Sequence, residues 1–195
     1  MRLFVALDID DAIRNRIARF LDGVRGFAPD VRWVRSESLH VTLKFIGEQS
    51  EPQLDAIKRT LKTIDADHFE LTFRGYGFFP TVRAPRVFWV GIDGDAKLTT
   101  LAASVDATLV ALEIKKEEHV YNAHLTLARG SGRSGSPRWE KNDRANHSFQ
   151  RLQEKLSALP VPEFGTMTAR EFFLYRSQVS PTGSKYTKLA EFSLR

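Results

Sequence analysis

The 195-residue sequence predicts one domain, or two tightly packed lobes, of the α/β or α+β class with mixed sheets. Two observations carry this. Strand-like and helix-like apolar patterns run in the order strand, helix, strands, helix, strands, and a similar series follows. A short phrase, His-apolar-Thr-Leu, also occurs twice, at 40–43 and 124–127, which points to two related halves divided near residue 90.

RLFVALDI (2–9) is densely apolar, as a buried central strand is. Asp10 or Asp11 caps a helix on which Ile13, Ile17, Phe20, Leu21 and Val24 recur at helical spacing. VRWVR (31–35) and LHVTLKFIG (39–47) read as a strand pair around the polar SES turn. Leu54, Ile57, Leu61 and Ile64 give the segment 51–64 one apolar helical face. FELTFRGYGFFP (69–80) and RVFWVGI (86–92) read as strands, and Leu98, Leu101, Val105, Leu109 and Leu112 mark a helix over about 96–112. AHLTLARG (123–130) is a strand, SGRSGSPR (131–138) a flexible basic loop carrying Arg133 and Arg138, and 148–158 a helix. TAREFFLYRSQ (168–178) and YTKLAEFSL (186–194) close the chain as strands.

Composition narrows the chemistry. The apolar share of 42% supports a real core. Without cysteine there are no disulfides, zinc–thiolate sites or thiol nucleophiles. A formal charge of +5, with 19 Arg to 10 Lys, favours a phosphate-bearing partner. The opening MRLFVALDIDD is too short an apolar run for a signal peptide, and no stretch reaches membrane-span length, so a cytoplasmic location is expected.

Side chains alternate across a strand, which puts His40, Thr42 and Lys44 on one face and Val41, Leu43 and Phe45 on the core side. The second phrase places His124 and Thr126 together in the same way. Each strand then offers an imidazole and a hydroxyl about 7 Å apart. Two such pairs facing one cleft supply a base, an acid and donors for phosphate oxygens, the parts that in-line displacement at phosphorus requires. A cyclic phosphodiester suits them, since one base and one acid on opposite sides open it without a metal. One His-x-Thr phrase alone is usually structural; two matched copies are not readily so explained. A metal site would need a third ligand, and neither phrase contains a carboxylate. His68, His119 and His147 have no repeated context, and no Gly-rich phosphate loop occurs.

Taken with RWVRSESLHVTLKFIGE (32–48), GYGFFP, PRVFWVGI, HLTLAR and SPTGSKYTKLAEFSL, the paired phrases make the chain resemble the two-histidine (2H) phosphoesterase superfamily. It is most similar to the LigT-like branch of RNA 2',3'-cyclic phosphodiesterases, also called bacterial 2'-5' RNA ligases. The resemblance implies an α+β fold of two pseudo-symmetric lobes within a single bilobal domain, each a small, mostly antiparallel sheet backed by helices, with a positively charged cleft between. It implies hydrolysis of a terminal 2',3'-cyclic phosphate to a 2'-phosphomonoester with no metal or cofactor, and a reversible 2'-5' ligation at the same site. His40 would be the proton donor and His124 the proton acceptor, a choice only the resemblance makes; Thr42 and Thr126 would hold the phosphate. Partners would be RNA ends or cyclic nucleotides, with a monomer the default. Arg129 would contact nucleic-acid phosphate, yet strict alternation puts it on the core side, so either the strand ends at Ala128 or a twist re-aims the side chain. Lys44 is a further phosphate ligand on the cleft face, or a solvated charge. Trp33, Phe78 and Tyr186 are stacking platforms for a base, or core aromatics. A binding module with the same cleft and no turnover is the competing class.

Overall fold

The computed structural model describes residues 1–94, 96–130, 147–180 and 183–195. In chain order the elements are β1 (Arg2–Leu7), α1 (Asp11–Val24), β2 (Arg32–Trp33), β3 (Val41–Glu48), α2 (Glu51–Leu61), β4 (Phe69–Pro80), β5 (Pro85–Gly94), α3 (Ala96–Val110), β6 (His124–Arg129), α4 (Gln150–Ser157), β7 (Glu163–Ala169), β8 (Glu171–Ser180) and β9 (Gly183–Ser193). The loop 131–138, with Arg133 and Arg138, lies outside the described residues.

The strands form two sheets, ordered β3-β1-β8-β9 and β2-β6-β5-β4-β7. Among the described residues every pairing is antiparallel, so these sheets are not mixed; the hairpins β4–β5 and β8–β9 set this direction. Neither sheet divides the chain near residue 90. That residue lies inside β5, at the middle of the second sheet, while the first sheet combines β1 and β3 with β8 and β9 from the far end of the chain. Two sequence expectations fail for the same reason, that adjacent segments enter different sheets. The 31–35 and 39–47 segments do not pair: β2 adds to β6, β3 adds to β1, and Ser36–Ser38 is a turn of 3-10 helix between them. The segment 168–178 is not one strand: β7 ends at Ala169 in the second sheet and β8 starts at Glu171 in the first.

The helices follow their apolar spacing. α1 buries Ile13, Ile17, Leu21 and Val24, and α3 buries Leu98, Leu101, Ala102, Val105 and Leu109. Ser50 and Gln53 form a capping box that fixes the start of α2 directly after β3. One apolar core runs through both lobes, from Leu3, Val5 and Leu7 to Phe88, Phe149 and Phe172. Burying each such side chain contributes about 1.5–3 kcal/mol. A smaller cluster, Phe4, Ala6, Phe173 and Tyr175 with Tyr186 against it, covers the opposite face of the first sheet. Among the described residues no helix is long and apolar enough to cross a membrane.

Candidate active site

The two His-x-Thr phrases lie at the starts of strands in different sheets. β3 is an edge strand of the first sheet, β6 lies inside the second, and the two strands are in contact. Each phrase carries a β-bulge at its leucine. In β3, Thr42 pairs with Ala6 and Lys44 with Val5, leaving Leu43 without a cross-strand partner. In β6, Thr126 pairs with Trp89 and Ala128 with Phe88, leaving Leu127 unmatched. A bulge adds one residue and reverses the alternation beyond it. Leu43 and Lys44 both point inward, as do Leu127 and Ala128, and the next residue, Phe45 or Arg129, turns out on the histidine side.

The bulges turn Arg129 out on the histidine side and Lys44 inward, against the alternation expected of Lys44. Arg129 is exposed on the same face as His124 and Thr126. Lys44 is 5% exposed and faces away from the cleft. Its ammonium pairs with Asp106 Oδ1 at 2.5 Å and donates to the Lys115 carbonyl at 2.7 Å. It ties the motif strand to α3 and cannot reach a substrate phosphate. Tyr121 makes a second tie, its hydroxyl donating to the Thr42 carbonyl at 3.0 Å three residues before His124.

Both imidazoles are held alike. His40 Nδ1 lies 2.7 Å from the Ser38 carbonyl, and His124 Nδ1 lies 2.7 Å from the Asn122 carbonyl, each two residues upstream. A carbonyl only accepts, so each Nδ1 carries the proton and each neutral ring presents its Nε2 lone pair. Among the described residues neither Nε2 is engaged, nor is the hydroxyl of Thr42 or Thr126. Arg14 braces the loop ahead of His40, donating to the Ser36 and Leu39 carbonyls while pairing with Asp8 at 2.6 Å.

Aromatic rings fix the orientation of each imidazole. His40 packs at 4.9 Å on Phe4 and edge-on at 5.1 Å to Tyr186, with Tyr175 behind. His124 packs edge-on at 5.0 Å to Phe79, with Trp89 beyond it. Trp89 in turn lies flat on Gly77, where a Cβ would come 2.1 Å from the indole. Tyr186 therefore stands beside His40. Trp33 and Phe78 do not: the Trp33 indole donates to the Ala28 carbonyl at 3.0 Å and packs on Phe88, and Phe78, 7% exposed, stacks on Phe88 and Phe149. Both are core aromatics on the inner side of the second sheet. Phe4, Phe79 and Trp89 escape a reading of the sequence because period-two alternation does not say which face meets the other lobe. Strict alternation also sends Phe45 inward, whereas it is 58% exposed, because the bulge before it leaves no mark in residue type.

The site is electropositive and partly dry. Burial lowers the His40 pKa to about 4, and the charges of Arg129 and His124 push the same way, against the Ser38 hydrogen bond and Asp8. His124 is lowered by burial and then by Arg129, against its bond to Asn122. Arg129 itself is lowered by loss of solvent and by Arg32 and Arg2, while Tyr186 opposes this. His40, His124 and Arg129 thus act on one another, although they come from two sheets. At pH 7 both imidazoles of the free protein are neutral, and a bound anion favours proton uptake by either.

Comparison with known proteins agrees with this arrangement. The model of the "LigT like Phosphoesterase" family matches residues 7–89. An RNA 2',3'-cyclic phosphodiesterase of Archaeoglobus fulgidus is 35% identical over 98% of this chain and 99% of its own. One from Methanothermobacter thermautotrophicus is 32% identical over 100% and 99%. The chain belongs to the LigT-like phosphoesterases. Among solved members of this family, E. coli LigT complexed with 3'-AMP superposes with a TM-score of 0.76 at 26% identity, covering 99% of this chain and 97% of that one. The protein TT0787 of Thermus thermophilus superposes with a TM-score of 0.73 at 29% identity, over 100% and 98%. In this LigT-like chain the twin motifs lie on two strands in contact, one from each sheet, and Arg129 turns out on the side of His124.

Proposed function

We propose that the protein is a metal-independent RNA 2',3'-cyclic phosphodiesterase that opens a terminal 2',3'-cyclic phosphate to a 2'-phosphomonoester. The observation that carries this reading is the matched pair of Nε2 atoms, each backed by an Nδ1–carbonyl bond and each beside an unengaged threonine hydroxyl. His124 Nε2 takes a proton from water as the water oxygen bonds to phosphorus. His40, which takes up a proton at Nε2 when the anionic substrate binds and is doubly protonated in the complex, gives that proton to the 3' oxygen as the P–O3' bond breaks. Thr42 and Thr126 donate to the non-bridging oxygens, and Arg129 balances their charge. Attack by the 5' hydroxyl of another strand in place of water, with His124 taking its proton and His40 protonating the departing 3' oxygen, would give the 2'-5' ligation. We read the matched motif geometry as an approximate two-fold relation within one bilobal domain, and the enzyme as a cytoplasmic monomer.

The test is product analysis on a short RNA ending in a 2',3'-cyclic phosphate. The wild type should yield the 2'-phosphate in the presence of EDTA. His40→Ala and His124→Ala should stay folded and each lose about 10²–10⁴ in turnover, with the double variant little worse than either single one. Full activity in either single variant, or binding without ring opening from pH 5 to 9, would replace this reading with that of a binding module.

A further inference from the structure

Many arginines of this chain are neutralised: Arg14 pairs with Asp8, Arg25 with Asp22, Arg35 with Glu37, Arg74 with Glu163 and Arg195 with Asp65. Arg2, Arg32 and Arg129 have no carboxylate partner among the described residues, as is also true of Arg19, Arg59 and Arg176; what sets the three apart is where they stand.

Their placement is specific. Arg32 stands directly opposite Arg129 in the β2–β6 pair. The neighbouring pair, Trp33 and Ala128, points into the core, so both guanidinium groups emerge on the histidine face. Arg2 comes from the other lobe. It lies two residues before Phe4, on the face where the Phe4 ring packs against His40. It also belongs to the cross-strand row Arg2–Ser177–Tyr186, which ends on the ring edge-on to His40. The charges of Arg2 and Arg32 are both felt at Arg129. Like charges directly opposite across a strand pair are destabilising. Three convergent guanidinium groups with no internal counter-charge therefore cost the fold stability unless an anion joins them.

We propose that Arg2 and Arg32, standing beside the Arg129 that serves the first phosphate, form a second anion site next to the histidine pair, holding a second phosphate of the substrate, so that a strand end binds better than a lone cyclic nucleotide. The site spans both lobes, and a strand seated there would run out of the cleft along the β2–β6 edge. This rests on the cyclic phosphodiesterase reading only for the identity of the first phosphate.

Direct binding tests it without turnover. Three product-like ligands are titrated by calorimetry at several salt concentrations: a nucleoside 2'-monophosphate, a nucleoside 2',5'-bisphosphate, and a dinucleotide with a 2'-phosphate end. For the wild type the second phosphate should tighten binding about tenfold or more. Arg2→Gln and Arg32→Gln should each remove most of that gain and lower the salt slope by about 0.7 per lost contact. A gain with the bisphosphate identifies any phosphate on the 5' oxygen as sufficient; a gain with the dinucleotide alone assigns the site to the internucleotide phosphate. Equal affinity of the wild type for all three ligands, or equal losses on all three in the variants, would overturn the proposal. So would a fall of several degrees in the unfolding midpoint of both variants, because relief of like-charge repulsion should leave it level or raise it. Failure to open a cyclic mononucleotide would count against the catalytic reading alone.

Discussion

Replacing Lys44 with methionine asks whether the motif strand turns its lysine toward substrate or toward α3. Lys44 Nζ lies 2.5 Å from Asp106 Oδ1 and 2.7 Å from the Lys115 carbonyl, with the two side chains 4% and 13% exposed. Methionine fills the apolar stem and removes the ammonium. The Asp106 carboxylate then keeps only the Glu117 amide, at 3.0 Å, and the Lys115 carbonyl loses its donor. Breaking a buried pair in this way costs about 3–5 kcal/mol, and the solvent edge of Asp106 puts the value at about 3. In a chain of this length that corresponds to a fall of roughly 6–12 °C in Tm. Adding Asp106→Leu to the same variant should recover most of the loss, since an apolar pair of similar volume carries no orphan charge. The effect has a pH signature. Burial pushes the Asp106 carboxyl up, but the Lys44 hydrogen bond, the Glu117 amide and the Lys44 charge outweigh it, so the folded pKa is depressed. A depressed carboxyl stabilises the fold above its ordinary value near 3.8 and loses that contribution as pH falls through the folded pKa. The gap between wild type and Lys44→Met should therefore close in acid. Thermal unfolding followed by circular dichroism from pH 3 to 8 measures it. A loss under about 1 kcal/mol together with a raised KM would refute the strut and restore Lys44 as a phosphate ligand.

Two further outcomes follow from the same structure. Because the folded pKa of His40 is lowered to about 4, the unfolded chain binds more protons between there and about 6.5, and stability should rise with pH across that window, by roughly 3 kcal/mol at most. His40→Gln should flatten this part of the curve, and an unchanged slope would show that His40 is not buried as described. Gly77→Ala would drive a methyl into the Trp89 ring, displacing the indole and Phe79 from behind His124. Turnover should fall about tenfold or more with a shift in tryptophan emission, and normal turnover with unshifted emission would remove Trp89 from the support of His124.

Much of the fold is legible because burial leaves a period. Ile13, Ile17, Leu21 and Val24 announce α1, and RLFVAL announces a strand buried on both faces. The paired phrases locate the two imidazoles and two hydroxyls of the proposed site. What the pattern cannot carry is register. A single unmatched residue at Leu43 sends Lys44 inward and Phe45 outward, and the same event at Leu127 brings Arg129 to the cleft. No residue type marks either bulge. Sheet membership is also hidden: Arg170 alone separates β7 in one sheet from β8 in the other. Trp33 and Phe78 have the composition of a stacking platform, but which face looks inward is set by pairing: Trp33 by Ala128, far away in sequence, and Phe78 by the register of the β4–β5 hairpin opposite Phe88.

The most direct test of the site is a titration of both imidazoles by 15N and 13C NMR, with and without one equivalent of a nucleoside 2'-monophosphate. Free, both rings should be neutral at pH 7 with the proton on Nδ1, and both should titrate below the ordinary histidine value. On binding a single phosphate, the resonances of both Nε2 atoms should move together and both pKa values should rise. A response from one ring only, or from neither, would mean that the two histidines do not meet at one phosphorus.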